Sequence, residues 1–454
     1  MNITTVSQLA EDIALLTFTP SLPSGEVRIT RYEAPKRVLV GTGENPTPAA
    51  LYRLARTVAA KQAAHLASEQ GIIGEGFDAV RIEAIVNGLI VGANPTALYK
   101  TADLKAHPFN AEGAGFHIQG SVTPEFRAAL ERGRILAEAQ RRTMALINTP
   151  SNRKSAVTVA EAVAESGKRH GYAVEVFDEN RLQDEGFHAL LAVNRGSENP
   201  ARFLLLTYES PGAGRHIALV GKGVTYDSGG YSIKPTDSMQ HMRSDMAGAA
   251  TVIGAFEAAA DLKLPIKLTG AIPLTDNMVD GRSYKPGDVI GSYSGKTIEV
   301  IDTDAEGRII LADALTYVVR HRKPDVMVDL ATLTGAAVRA IGSAASALFT
   351  NNDALAAALS QAGDATGERL WRLPLWDEYK DDIASDIADV KNLGKVTAGA
   401  ISAAKFLEIF TEGHPAWAHI DVAGTVYGDN EFGKAKSATG YGVRMLVNWL
   451  ENQF

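Results

Sequence analysis

Cysteine is absent from all 454 residues of the chain. That absence excludes disulfide staples, thiolate nucleophiles and cysteine-ligated zinc together, and it points to a reducing, cytoplasmic home. Also missing is any run approaching the roughly 20 apolar residues that a membrane-spanning helix requires, so no membrane partner is expected. The opening stretch MNITTVSQLAEDIALLTF has no basic segment ahead of its short apolar run, which contains Glu11 and Asp12. It reads as the start of a folded domain and not as a signal peptide. Internal repeats and low-complexity segments are lacking too. Positive charge is not in excess: 45 Lys and Arg face 53 Asp and Glu, for a formal net charge of −8, which argues against a dominant nucleic-acid surface.

What is present is a long chain with 45% hydrophobic residues, more than one core usually holds, so two or three domains are expected. Strand-like runs at 13–18 and 37–40 alternate with helical patterns over 48–68 and 77–91, the signature of a small N-terminal α/β domain over residues 1–120. From 101 to 120 periodicity is lost among Gly, Ala, Asn, His and Pro. Thr123 and Pro124 then open a connecting helix, assigned to 121–147. Beyond it, helices (158–169, 181–191) alternate with strands (172–177, 203–208). Short apolar runs at 216–220, 266–272 and 326–330 suit a central sheet covered on both faces, and a helix at 403–410, a strand at 417–422 and a helix from 442 to 452 complete it. The fold expected is therefore α/β, with a larger C-terminal catalytic domain over 148–454 in which helices flank a central sheet.

Two stretches concentrate the charge: LVGKGVTYDSGGYSIKPTDSMQHMRSDMAG at 219–248 and DTDAEGR at 302–308. Lys222 and Asp227 follow the carboxyl end of an apolar strand, where open α/β sheets place ligands. Gly229 and Gly230 permit a tight reversal, with Lys234 beyond it. Asp237 or Ser238 can cap a helix beginning near Met239, on which Asp245 sits about two turns in. Asp304 and Glu306, two apart on an extended segment, project the same way, and Arg308 opens an apolar helix. Taken singly, an Asp beside Gly is a turn or a cap, a lone Lys a surface ion-pair partner and Arg308 a solvated helix end. Crowded together without matching histidines, the carboxylates suit hard or borderline cations, and two ions bridged by carboxylates would make a dinuclear hydrolase.

Other signatures fail. GSYSGKT at 291–297 is one residue short of a phosphate loop, GKGVTY lacks the third glycine of a dinucleotide fingerprint, no HExxH occurs, and Tyr293 stands where a hydrolase elbow needs Ser. His419 lies in a buried strand pattern and is read as structural.

GKGVTYDSGGYSIK and DTDAEGR resemble the two signatures of the leucyl aminopeptidase (cytosol aminopeptidase) family, the second of which usually begins with Asn. INTPSN at 147–152, MRSDMAGAA at 242–250, DLATLTGA at 329–336, WAHIDVAGT at 417–425 and ATGYGVR at 438–444 extend the similarity from about residue 147 to the end. The first 120 residues carry no comparable match. The resemblance implies that Lys222, Asp227, Asp245 and Glu306 hold one divalent ion and that Asp227, Asp304 and Glu306 hold a second, manganese or zinc. It implies that Lys234 stabilises the developing oxyanion, and that Arg308, with backbone groups near Leu333, holds a bicarbonate ion that relays a proton. Met242, Thr332 and Gly335 would line an apolar pocket for the first side chain of a peptide with a free amino terminus. A homohexamer is likewise implied. Asp302 departs from the family's Asn and adds a negative charge, and Ala247 departs from a common Gly. The alternatives are a DNA-binding or scaffold protein on the same fold, against which the acidic pI counts, and a dinuclear phosphoesterase, which the two lysines fit less well.

Overall fold

The computed structural model describes residues 1–30, 36–95, 99–101, 106–120, 123–429 and 436–453. Two compact units emerge. One comprises Met1–Arg141, Ala365–Gly367 and Asp429–Lys436, and the other Arg142–Asp364, Glu368–Gly428 and Ser437–Phe454.

The first unit is built on a six-stranded sheet of β1 (Asn2–Val6), β2 (Ala14–Thr19), β3 (Val27–Ile29), β4 (Arg37–Gly41), β5 (Glu69–Gly74) and β6 (Gly115–Gln119), ordered β1-β6-β5-β2-β4-β3. The pairings are parallel except β3 with β4. Thr47 caps the Pro48–Gln62 helix by accepting the Ala50 N–H at 3.2 Å, and Pro48 supplies a preset first turn. The helix expected over 48–68 stops at Gln62, and 69–74 is a strand. β6 lies in the stretch read as aperiodic, although Phe116 and Ile118 are buried at period two, two apolar residues being too few to register as a pattern. The Pro124–Asn148 helix carries the chain onward. The opening expected for it at residues 121 and 122 lies outside the described residues.

The second unit carries a nine-stranded sheet. Its strands, with those of a smaller sheet, run β7 (Ala173–Phe177), β8 (Arg202–Glu209), β9 (His216–Gly221), β10 (Gly223–Asp227), β11 (Lys267–Asn277), β12 (Val289–Ile290), β13 (Ile298–Glu299), β14 (Val326–Ala331), β15 (Ser346–Thr350), β16 (Leu370–Arg372), β17 (Val390–Lys391) and β18 (Trp417–Asp421). The large sheet is ordered β16-β15-β18-β14-β9-β11-β8-β7, with β10 also on β11. Its centre, β18, β14, β9 and β11, is parallel, and β15 and β8 run antiparallel to their inner neighbours. The α/β class expected, a small N-terminal domain and a larger sheet-and-helix domain, is the fold observed.

Helices cover both faces of this sheet. Ala218 and Val220 of β9 join a core with Ile309, Ile310 and Leu311 of the Glu306–His321 helix, edged by the rings of Phe177, Phe187, Phe203 and Tyr317. The pleat turns Ile217 and Leu219 to the other side, toward the Ala247–Asp261 helix, which also packs on β9, β14 and β11. Each such side chain taken from water contributes about 1.5–3 kcal/mol. That second helix lies very close to the sheet because it is made of small residues. A Cβ on Gly248 would overlap the Leu330 carbonyl oxygen, so the helix N-terminus could not approach the strand ends if any side chain stood there.

Three local expectations are corrected. The helix expected at 181–191 is two, Glu179–Glu185 and His188–Asn194, parted at Gly186 with φ 87°. Asp245 does not sit two turns into a helix: a short helix at Thr236–Met239 and a 3-10 turn at Met242–Ser244 precede it, and the long helix begins only at Ala247. Neither Asp237 nor Ser238 caps the short helix, because the chain turns helical at Thr236 and both lie inside it, the N-cap being Pro235; the Ser238 hydroxyl donates back to the Pro235 carbonyl at 2.9 Å.

Candidate active site

The site stands where the parallel strands end. β11 is 11 residues long and pairs first with β9 and then, beyond Ala271, with β10, so the chain breaks step once between those two strands. Lys222 is the residue at the break. Its N–H donates to the Leu330 carbonyl at 3.0 Å and its carbonyl accepts the Ala249 N–H at 2.9 Å, which pins its backbone between β14 and the Ala247–Asp261 helix. Its side chain crosses Gly307 at a distance no Cβ would allow. The ammonium then reaches Asp245 Oδ1 at 2.9 Å and Oδ2 at 2.8 Å, Glu306 Oε1 at 2.8 Å and the Thr332 carbonyl at 2.9 Å.

Asp227 ends β10. Its Oδ1 accepts the Gly229 N–H and the Asn277 side-chain amide, each at 2.8 Å, and its Oδ2 lies 2.8 Å from Lys234 Nζ, which also pairs with Asp304. The reversal expected at Gly229 and Gly230 is present, with φ of 86° and 63°. Thr303 fastens that loop, donating to the Gly229 carbonyl at 2.6 Å and accepting the Ser232 N–H at 2.8 Å.

Asp304 and Glu306 are not on an extended segment. The Asp302 carboxylate accepts the Asp304 N–H at 2.8 Å, folding a turn that runs into the Glu306–His321 helix, so Glu306 begins the helix and Arg308 lies in its first turn. An amide oxygen at 302 would accept the same bond. What Asp302 changes is charge. Arg308 is buried, donates to the Asn392 carbonyl at 2.9 Å, and keeps Nε without a partner among the described residues. Leu333 already gives its N–H to Asp421 at 3.2 Å, and Thr334 donates to the same carboxylate at 2.7 Å.

The expected pocket residues divide. Thr332 is part of the cluster, its hydroxyl donating to Asp245 Oδ1 at 2.8 Å. Met242 is half-buried and opens the 3-10 turn before Asp245, and Gly335 is exposed at the start of the Gly335–Ile341 helix. His419 is inside the sheet, its Nδ1 2.5 Å from Asp329 and its ring stacked on Phe349. Asn277, Thr303, Tyr284 and Asp421 were not singled out from the sequence. Thr303 and Asp421 lie inside the runs DTDAEGR and WAHIDVAGT and Asn277 and Tyr284 outside any quoted run, but the role of each, such as the bond Tyr284 donates to the Thr303 carbonyl at 2.8 Å, is visible only once the strands assemble.

Electrostatics follow from burial and from count. Four carboxylates (Asp227, Asp245, Asp304, Glu306) face two ammonium groups (Lys222, Lys234), a formal excess of two acids in a site mostly closed to water, and without a further cation most of the acids hold their protons more tightly. Burial and the neighbouring carboxylates raise Asp227; burial drives Asp245 well above its ordinary value; and Asp304 is pushed up to about 7. Glu306 alone is lowered, because Lys222 and Lys234 outweigh its burial. For both lysines burial acts downward, but the carboxylates win and raise them. Burial lowers Arg308 to about 10, so it stays charged at neutral pH. A cation fits this imbalance. Ligand oxygens of Asp227, Asp245 and Glu306 lie within 4.8 Å of one another, and Glu306 Oε2 is buried with no hydrogen-bond partner among the described residues. The cluster could therefore hold metal.

An α/β protein with a metal-capable cluster of buried acids and lysines at the ends of a parallel sheet is the class these features define. Residues 141–447 match the cytosol aminopeptidase family, catalytic domain. The chain is 44% identical over 436 residues to a probable cytosol aminopeptidase of Chlorobaculum tepidum, covering 92% of this chain and 86% of the relative. It is 44% identical to one of Chlorobium luteolum, over 92% and 87%, and 45% identical to one of a Geobacter species, over 82% and 75%. The chain belongs to the cytosol aminopeptidase family.

Proposed function

We propose that this protein releases amino-terminal residues, leucine-like and others, from peptides, using two divalent ions, manganese or zinc. Lys222, Asp227, Asp245 and Glu306 would hold one, and Asp227, Asp304 and Glu306 the other. When bound, the ions supply Lewis-acid polarisation of the scissile carbonyl, an activated water and an anchor for the free α-amine. The chain's own groups do the rest. Lys234, kept protonated by its carboxylate neighbours, presents an ammonium to the oxygen on which charge develops. Arg308 has one face tied to Asn392 and its Nε free of any described partner, which suits it to hold a small anion such as bicarbonate, and that anion would supply a proton relay. Met242, Thr332 and Gly335 would border the pocket for the first side chain.

The observation that supports this reading most is the excess of acids over ammonium groups in the buried cluster, with Glu306 Oε2 lacking a hydrogen bond inside it among the described residues. Leucyl-anilide and its N-acetyl counterpart test it. Cleavage of the free-amine substrate alone, dependent on added metal, is expected. Equal cleavage of both would remove the amine anchor, and cleavage of neither would remove the peptidase reading for this substrate.

A further inference from the structure

We infer that Asn392 is a positioning residue for this active site, fixing the loop between β13 and the Glu306–His321 helix and, through its carbonyl, the guanidinium of Arg308. The inference rests on the proposed reading of the cluster. It starts from a stretch of backbone outside any strand or helix, between the end of β13 at Glu299 and the helix start at Glu306, which carries Asp304 and leads into Glu306. Val300 donates to the Asp288 carbonyl, Thr303 to the Ser232 hydroxyl, Asp304 to the Asp302 carboxylate and Ala305 to the Asp302 carbonyl, which leaves the N–H groups of Ile301 and Asp302 to be met from elsewhere.

Asn392 answers that need from about 90 residues downstream. It is fully buried. Its side-chain oxygen accepts the N–H of Ile301 at 2.8 Å and of Asp302 at 3.3 Å, while its amide nitrogen donates to the Asp302 carbonyl at 2.6 Å and reaches the Ala305 carbonyl at 3.5 Å. Its backbone N–H donates to the Glu299 carbonyl at 2.9 Å and its own carbonyl accepts Arg308 Nη1 at 2.9 Å. Only an amide of this length offers both a two-bond acceptor and a two-bond donor here; a carboxylate cannot donate and an aliphatic residue does neither.

A strap delivers Asn392 to the loop. Ser385 donates to Glu299 at 2.5 Å, Asp389 accepts both the N–H and the hydroxyl of Thr297 at 2.8 and 2.9 Å, and β17 pairs in parallel with β13. The strap is zipped to the strand up to Lys391, and the next residue turns its amide into the loop. Among the described residues Asn392 makes no hydrogen bond to a carboxylate of the acid cluster, so it acts through the backbone that sets where Asp304 and Glu306 stand.

The test uses the full chain with Asn392→Ala and Asn392→Asp, the second nearly isosteric but unable to donate when ionised. Manganese and zinc affinity is measured by chelator competition at a temperature where each variant is folded, and amide exchange is followed over residues 300–305 in metal-stripped protein. Both variants should bind metal roughly 10- to 100-fold more weakly, the loss typical when a group supporting a ligand is removed. kcat should fall more than KM changes, and the amides of Ile301 and Asp302 should lose protection while those of β9 and β14 keep it. If Asn392→Ala does not fold, the aspartate variant carries the test. Parent metal affinity in either folded variant, or unprotected Ile301 and Asp302 amides in the parent, would overturn the inference. Failure of the parent itself to bind divalent metal would instead overturn the proposed function, so the two failures are distinct.

Discussion

Glu306→Gln protein is expected to bind divalent metal more than about 100-fold more weakly than the parent and to lose activity at least in proportion. Losses of roughly 10- to 100-fold attend changes to groups that merely support ligands, and Glu306 is proposed as a ligand itself. Its Oε1 is 2.8 Å from the Lys222 ammonium and its Oε2 has no described partner. It is also the one carboxylate of the four whose pKa is lowered, and therefore the one most firmly ionised. Glutamine keeps the volume but removes a negative charge and turns a donor into the cluster. Removing one partner of a buried ion pair typically costs about 3–5 kcal/mol, so affinity must be read on protein shown to be folded by near-ultraviolet circular dichroism. Parent affinity in a folded Glu306→Gln protein would exclude this residue as a ligand.

For Lys234→Met the expectation separates two roles. Turnover on leucyl-anilide should fall by about 10²–10³-fold, the effect of deleting one preorganised donor to a developing oxyanion. Metal affinity should not fall. Lys234 Nζ sits 2.8 Å from Asp227 and pairs with Asp304, so deleting it makes the cluster more negative and more receptive to cations. Titration calorimetry together with steady-state kinetics reads both quantities. Undiminished kcat would take Lys234 out of the reaction, and lost metal affinity would make it a structural support.

The contrast between these two residues shows what the sequence could carry. The crowding of acids and lysines within two short stretches was legible, as were the apolar runs that became β9, β11 and β14, because continuous buried strands leave a dense local signal. Local conformation was less so. Asp304 and Glu306 read as neighbours on an extended segment, but the Asp302 side chain folds a turn and Glu306 becomes the first residue of a helix, since a short polar side chain competes with the backbone pattern around it. Asp245 was placed within a helix by a favourable cap sequence, yet the chain spends a 3-10 turn first, which leaves its carboxylate at the Lys222 ammonium. Asn277 and Asn392 could not be found at all, and Asp421, although inside the matched run WAHIDVAGT, carried no sign of its role. Their partners are 50, about 90 and 88 residues away, and nothing local marks one Asn or Asp as the residue that will face an unpaired loop.

The most direct measurement is a metal titration of stripped protein, following bound manganese or zinc and leucyl-anilide hydrolysis in the same samples. Two ions bound per chain, no hydrolysis before metal is added and recovery that tracks occupancy are the predicted result. Hydrolysis by fully stripped protein, or saturation at a single ion per chain with full activity, would contradict a dinuclear site at Lys222, Asp227, Asp245, Asp304 and Glu306.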